Sequence, residues 1–363
     1  MSPTPLPVGR PLRVGIVGLG KVYELTVRGY RDNPDVEVVA LCDRDPTRLA
    51  ERGPEWPQAQ RFERLEDLVA LDLDLVEVIV PTPAHADVVC QVLEAGHHVT
   101  LQKPMANTLE EADRMLASAA STGATLRVME NYVFYEPLRR MKDLVEAGDI
   151  GEVAGFHMKM VGTGLGGWDV PWQTWLWQFE QAKQERGILT FDDGWHKFAV
   201  ASWLFGPVEE VMGWFGSTVL GGDFAMDAPA TIAWTHANGV RGVLDITFAP
   251  QTLMPSRYYS NDERFEVTGT HGFARVNHCT ATGLRLPPLE VYRDGELRQF
   301  HDLDDDWGSS FRDSTRHAVQ VLKTGEGDLL FSGAQARDIL AFALTAQESS
   351  RQGRRLRLQG ADA

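Results

Sequence analysis

Short β-branched runs alternate, from Leu12 to about Val128, with stretches whose apolar residues recur every three or four positions. That alternation predicts parallel strands joined by crossover helices. LRVGIVG, VEVVALCD, LVEVIVP, HHVTLQ and ATLRVME read as the strands. HADVVCQVLEAG and TLEEADRMLASAASTG read as helices, each closing on a glycine suited to a left-handed cap, and Thr108 with Glu111 spells a capping box. Beyond Tyr132 the rhythm changes. After one helix around Pro137 to Ala147, EVAGFHMKMV, PVEEVMGWFGSTV, TIAWTH, GVLDITFAP, RFEVTGT and LEVYRD alternate apolar with polar positions. This is the pattern of a sheet with one packed and one open face. Two helices, about Gly308 to Lys323 and Gly333 to Arg351, follow. The chain therefore reads as a flexible leader over 1–10, an α/β domain over 11–131, and an α+β domain over 132–363 whose large open sheet is mostly antiparallel.

Composition narrows the partners. A chain of 363 residues suits two cores, and 43% hydrophobic with 24% charged residues is the make-up of a globular protein. The 51 acidic against 35 basic residues leave a formal charge of −16, which repels nucleic-acid phosphates and anionic lipid, so neither nucleic acid nor membrane is expected as a partner. No apolar run approaches the ~18 residues that span a bilayer. Cys42, Cys90 and Cys279 are few, odd in number and set in apolar runs, which predicts reduced thiols and a cytoplasmic protein. The opening MSPTPLPVGRPLR has four prolines and no apolar core of a signal peptide.

VGIVGLGKVYE places Gly18 and Gly20 after the first strand and before a helical pattern, where a dinucleotide-binding turn sits. Glycine lets backbone approach a pyrophosphate at a helix N-terminus. Lys21 and Val22 complete the turn, and Tyr23 stands at the third glycine of the fingerprint. Asp43 ends the second strand, 25 residues after Gly18, where an acid bonds the adenine ribose and repels a 2′-phosphate. NAD is therefore expected over NADP, with Arg44 next door able to tolerate the extra phosphate. Two further turns fall where the cofactor would lie: PTPAH, with Pro81, Thr82 and His85, and LQKPMAN, with Gln102 and Lys103. A lysine beside a nicotinamide ring is favoured to lose its charge and can trade protons, although an ordinary surface lysine before a turn fits the same letters. Pro104 allows a cis peptide that would fix the lysine's direction.

FDDGWHKF, Phe191 to Phe198, read as a helix sets Asp192 and His196 on one face and makes Asp193 with Lys197 a second, parallel pair. Oxidising an alcohol needs a base near neutral pH, which a carboxylate-paired His196 supplies. A helix cap and a histidine satisfied in the core are the plainer alternatives, and Asp193 and Lys197 read as structural or rim residues. Gly194 inside a helix implies a close approach. The preceding loop carries Trp168, Trp172, Trp175 and Trp177, whose indoles suit sugar rings and equally suit an interface. Histidine and cysteine form no metal cluster in the sequence, so no metal is expected.

With these residues assembled, the chain resembles the Gfo/Idh/MocA family through VGIVGLGKV, VPTPAHADVV, LQKPMANTLEEADRM, EPLRRMKDLVEAGDIGEV and ILTFDDGWHKFAVASWLFGPVEEV. The resemblance implies a Rossmann domain, a C-terminal domain built on a large open sheet, and assembly through that sheet into a homodimer or homotetramer. It puts Lys103 on the lysine of the family's Glu-Lys-Pro motif and Asp192 and His196 on its Asp-x-x-x-His pair, which bind substrate hydroxyls and move the proton. Glu130 and Asn131 match a Glu-Asn pair of sugar-acting members. Gln102, Tyr23 and Ala199 depart from the family pattern. The implied protein is an NAD-dependent oxidoreductase acting on a secondary hydroxyl of a sugar, sugar derivative or cyclic polyol. Its rivals are an NAD-retaining lyase or glycosidase using transient oxidation, and a non-catalytic nucleotide or sugar sensor.

Overall fold

The computed structural model describes Leu6 and residues 9–358. The rest of the expected leader, residues 1–5, 7 and 8, lies outside the described residues. The chain divides into two compact units, one holding the residues up to Asn131 with Phe311–Leu340, the other Tyr132–Ser310 with the residues from Ala341 on.

In the first unit β1 (Leu12–Val17), β2 (Val36–Cys42), β3 (Gln60–Phe62), β4 (Leu75–Val78), β5 (His98–Leu101) and β6 (Leu126–Val128) form one sheet in the order β3-β2-β1-β4-β5-β6. Every pairing is parallel, and the order reverses beside β1, which makes the carboxyl ends of β1 and β4 the switch point where ligands of such sheets bind. The edge strand β3 is an addition to the five expected strands. The helix Leu109–Thr122 begins on the Thr108–Glu111 capping box and ends on Gly123 at φ 71°. Residues 311–340, which the sequence pattern leaves with the second domain, pack here: Val319 and Leu322 share the core of Leu12, Ile16, Tyr23 and Leu75. Gly29 admits the helix Trp307–Thr324, because a Cβ there would lie 2.3 Å from Thr315 Cβ.

The second unit is built on β7 (Val153–Leu165), β8 (Val208–Phe215), β9 (Thr218–Gly221), β10 (Phe224–Met226), β11 (Ala230–His236), β12 (Arg241–Leu253), β13 (Asn261–Gly269), β14 (Gly272–Val276), β15 (Leu289–Arg293), β16 (Glu296–Phe300) and β17 (Leu356–Arg357). β9 and β10 make a separate hairpin, and the others form a nine-stranded sheet in the order β16-β15-β14-β13-β7-β12-β11-β8-β17. β7 and β12 run parallel, whereas the remaining pairs are antiparallel. Alternate side chains, such as Met158, Met160, Ile232, Leu244, Ile246, Phe265 and Val267, are buried on one face. Glu263 shares the inward parity of Phe265 and Val267.

The tryptophan-rich stretch is not a continuous loop: Trp172–Lys183 is a helix that follows Pro171. Trp172, Trp175, Leu176 and Phe179 recur at helical spacing, and Phe179 packs on Phe224 of the hairpin with ring centroids 4.8 Å apart. The three cysteines are free and buried. No described helix is long and apolar enough to cross a membrane.

Candidate functional site

The first group of candidate residues lies on the turns at the carboxyl ends of the parallel strands. Gly18 follows β1 at φ 93°, and a Cβ there would sit 2.5 Å from the Ile79 carbonyl oxygen, so glycine alone fits. Its N–H donates to the Cys42 carbonyl at 2.8 Å. Asp43, buried at the end of β2, ties the two turns together. Its Oδ2 accepts the Leu19 N–H at 2.8 Å and its Oδ1 accepts the Asp45 N–H at 2.9 Å. The Arg48 guanidinium stands 3.5 Å from the same carboxylate, while Arg44 is exposed. At Gly20 a Cβ would meet nothing nearer than Arg48 Nη1 at 3.8 Å, so the turn is open there.

Lys21 donates to Glu24 at 3.0 Å, and Val22 leads into the short helix Tyr23–Thr26. Tyr23, at the fingerprint's third glycine, is fully buried and accepts the Trp56 indole N–H at 2.7 Å. Burial pushes its phenol up to about 12, so it stays neutral.

Past β4, Pro81 and buried Thr82 open the turn that starts the helix His85–Glu94. The ring nitrogens of His85 face the Val80 carbonyl at 2.9 Å and the Met105 carbonyl at 3.2 Å, bracing this turn against the one after β5. Burial lowers its pKa against the pull of these carbonyls, and in the neutral form the ring's single N–H is donated to one of them. Gln102 Oε1 accepts the Lys103 N–H at 2.9 Å, which fixes the amide's orientation. Gln102 Nε2 is then a buried donor with no acceptor among the described residues. Lys103 is half-buried, and its peptide to Pro104 is cis. Asn131 and Glu130 are buried after β6, with Ser314 Oγ donating to the Glu130 carbonyl at 2.8 Å. A turn closed to any Cβ at Gly18, open backbone at Gly20 and a spare buried donor at Gln102 fit a dinucleotide.

The second group is on one helical run in the second unit. Ile188–Asp193 winds as a π-helix, with the Asp192 N–H reaching the Gly187 carbonyl at 3.0 Å, and continues as the α-helix Gly194–Phe205. Asp227 caps its start. It accepts the Leu189 N–H at 2.9 Å, the Thr190 N–H at 2.6 Å and the Thr190 hydroxyl at 2.5 Å. Gly194 sits at the junction of the two windings, where a Cβ would lie 3.3 Å from both the Leu189 carbonyl oxygen and the Phe198 ring. Such widened turns recur at functional sites.

Asp192 accepts the Gln178 side-chain N–H at 3.1 Å. His196 is 4% exposed, and its ring lies 4.5 Å from that of Tyr132, the planes inclined at 31°. Asp193 and Lys197 pair at 2.5 Å, as the helical spacing predicts. Lys197 is no rim residue, however: it is 1% exposed because the helix around it is apolar on every side. Its ammonium also grips Glu263 at 2.5 Å, and Glu263 accepts the Tyr132 hydroxyl at 2.9 and 3.0 Å. The Tyr259 phenol is raised by burial and by the charges of Asp192 and Asp193.

Of the expected catalytic residues, Asp192 and His196 thus share one run in the second unit, and Lys103 belongs to the first unit, as does Asn131. Sequence reading passed over Arg48, Tyr132 and Glu263, and left Lys197 a structural or rim residue; the inward parity of Glu263 in NDERFEV was the available signal. Among the described residues no three His, Cys, Asp or Glu side chains gather to hold a metal ion.

A family model described as an oxidoreductase family with an NAD-binding Rossmann fold matches residues 12–130, and that of the GFO/IDH/MocA C-terminal domain matches residues 138–275. D-apiose dehydrogenase of Paraburkholderia graminis is 28% identical over 368 residues, spanning 96% of this chain and 90% of that one. Myo-inositol 2-dehydrogenase of Thermotoga maritima is 23% identical, spanning 96% of this chain and 99% of the other. An oxidoreductase from Agrobacterium radiobacter, crystallised with NAD+, L-tartaric acid and magnesium, superposes with a TM-score of 0.77 at 21% identity, over 95% of this chain and 98% of that one. That likeness establishes the fold.

Proposed function

We propose a function from one premise: the chain belongs to the Gfo/Idh/MocA family of oxidoreductases. It is an NAD(P)-dependent oxidoreductase that moves hydride between a nicotinamide and the carbon bearing a secondary hydroxyl of a sugar, sugar derivative or cyclic polyol. The D-apiose and myo-inositol dehydrogenases among its relatives support that substrate class. The observation that carries the reading is His196, nearly buried against Tyr132 on the same run as Asp192, in a chain whose other unit carries the glycine cradle.

Gly18, Gly20, Lys21 and Val22 let the backbone approach the cofactor pyrophosphate. Asp43, Arg44 and Arg48 face the adenine ribose, and the carboxylate favours NAD over NADP. Pro81, Thr82 and His85 shape the neighbouring turn, and Gln102 offers its spare N–H. Bound NAD supplies the hydride acceptor. His196 takes the hydroxyl proton, Asp192 orients the imidazole or a substrate hydroxyl, and Lys103 donates to the reacting oxygen and relays its proton. Asn131 is a further hydroxyl ligand.

The open face of the nine-stranded sheet, with Trp214 exposed on β8, supports assembly into a homodimer or homotetramer, and a monomeric mass by light scattering would overturn that. Three buried free thiols support a reducing, cytoplasmic setting, which cell fractionation checks.

The test is reduction of NAD, and separately of NADP, across sugars, sugar acids, inositols and glycosides, with product analysis. One group of polyols should reduce NAD, and His196→Ala should lose roughly 10²–10⁴ of kcat with NAD affinity intact. Product without net reduction would replace this reading by a lyase or glycosidase using transient oxidation. NAD binding without any product would replace it by a sensor.

A further inference from the structure

The charges under His196 are not accounted for by packing. The side chains of Lys197 and Glu263 are 1% and 0% exposed, and Asp193 is 20% exposed. Desolvating a cation and two carboxylates is costly, and apolar residues of similar volume often stabilise such a site equally well or better. Two inward positions, one in the helix GWHKFAVASWLF and one in β13, therefore hold charges where a methionine and a leucine would serve the core.

The contacts of these charges form a closed circuit around one imidazole. Lys197 follows His196 in the chain, so its backbone is that of the histidine's own turn. Its ammonium binds Glu263 at 2.5 Å and lies 4.9 Å from the centre of the Tyr132 ring. Both Glu263 oxygens accept the Tyr132 hydroxyl, at 2.9 and 3.0 Å, so the tyrosine can neither rotate out nor slide along its plane without breaking a buried bond. The Tyr132 ring then meets the His196 ring at 4.5 Å. Burial and the Glu263 carboxylate raise the Tyr132 phenol well above its ordinary value, which keeps the hydroxyl a donor.

We propose that Tyr132, Glu263 and Lys197 are positioning residues that hold the His196 imidazole in one orientation for proton transfer; this rests on the reading of His196 as the base. Tyr132 is the surface on which the ring sits, Glu263 locks that surface, and Lys197 locks Glu263 to the histidine's own backbone. The charged and titratable groups of this cluster are Asp192, Asp193 and Lys197 on the histidine's own run, Tyr132, Glu263 and Asp262 on β13, Tyr259 beside the two aspartates, and the buried thiol of Cys279. Removing the Glu263 charge makes a protonated His196 less favourable.

The experiment compares His196→Ala, Tyr132→Phe, Glu263→Gln and the double variant Lys197→Met/Glu263→Leu for melting temperature, NAD affinity, kcat, KM and the pH profile of kcat/KM. The double variant should melt within a few degrees of the parent, bind NAD equally well, and lose at least tenfold in kcat with KM changed less than threefold. Tyr132→Phe, which keeps the ring and loses its anchor, should lose part of that. Glu263→Gln should move the acid limb of kcat/KM to lower pH, which a merely structural role would not. Should the double variant fail to fold, Tyr132→Phe and Glu263→Gln decide alone. Parental kcat in the folded variants, or an unmoved acid limb, overturns the positioning role while an inactive His196→Ala leaves the base assignment standing. Parental turnover by His196→Ala sinks both.

Discussion

Glutamine at position 77 should make the protein increasingly more stable than its parent as pH rises. Glu77 is fully buried on β4, where one oxygen accepts the Tyr30 hydroxyl at 2.5 Å and the other has no partner among the described residues. Arg127, on β6, is the nearby cation, committed to Ser314 Oγ at 2.5 Å and the Leu330 carbonyl at 3.2 Å. Burial raises Glu77 from 4.5 to about 8, against the pull of the Tyr30 hydrogen bond and the Arg127 charge, while Arg127 falls to about 10 and stays charged at neutral pH. The folded pKa exceeds the unfolded one, so the native state keeps a proton that the unfolded chain releases. The stability this gives is complete below pH 4.5 and is lost as pH climbs toward 8, at up to about 1.4 kcal/mol per pH unit. Between pH 5.5 and 7.5 the parent should lose about 2.5 kcal/mol through this group, or roughly 5–10 °C in melting temperature for a domain of this size. Glutamine is neutral throughout and keeps the acceptor for Tyr30. Calorimetry of parent and Glu77→Gln at pH 5.5, 6.5 and 7.5 should show a difference in melting temperature that widens with pH in the variant's favour. A constant or narrowing difference would refute the reasoning, because it would mean that Glu77 is ionised and paired with Arg127 at neutral pH.

Two further substitutions probe the site's supports. Gly18→Ala sets a methyl 2.5 Å from the Ile79 carbonyl oxygen at a φ of 93° and should weaken NAD binding at least tenfold; near-parental affinity by titration calorimetry would exclude the cradle. Asp227→Ala leaves the Leu189 and Thr190 N–H groups and the Thr190 hydroxyl without their carboxylate, which should cost about 2–4 kcal/mol in the second unit and lower kcat by loosening the turn that carries Asp192; a loss of melting temperature with kcat unchanged would separate the cap from the chemistry.

The first sheet was legible because strands buried on both faces are apolar nearly throughout, as in Val36–Cys42, and because glycine and aspartate mark where they end. β3 escaped notice for the same reason: its three edge residues are exposed or half-buried and carry no apolar signal. The placement of residues 311–340 escaped for another. A period of 3.6 shows which face of a helix turns inward but not which core it joins, and Gly29, whose missing side chain makes room for Thr315, reveals that partnership after the fact. The helix after Pro171 has a legible signal, since four apolar residues recur at helical spacing, but tryptophans at those positions fit ring stacking and an interface as well as a helical face.

At the site, the expected pairing of Asp192 with His196 follows from spacing, while the contacts of Lys197 follow from a rule that spacing does not contain. Asp193 and Lys197 four apart on a helix ordinarily face water as a weak surface pair. That expectation assumes a polar face, and GWHKFAVASWLF has none: the apolar residues on all sides leave Lys197 no route to solvent. A buried ammonium must then meet a carboxylate supplied from elsewhere in the fold. In β13 strict alternation sets Glu263 on the face of Phe265 and Val267, so that an acid and a base, each misplaced by the pattern of its own element, are each other's explanation. Polar residues that violate the period of an otherwise regular apolar element are thus worth pairing across elements before any of them is assigned to the surface, and here the pair so formed meets the tyrosine on which His196 rests.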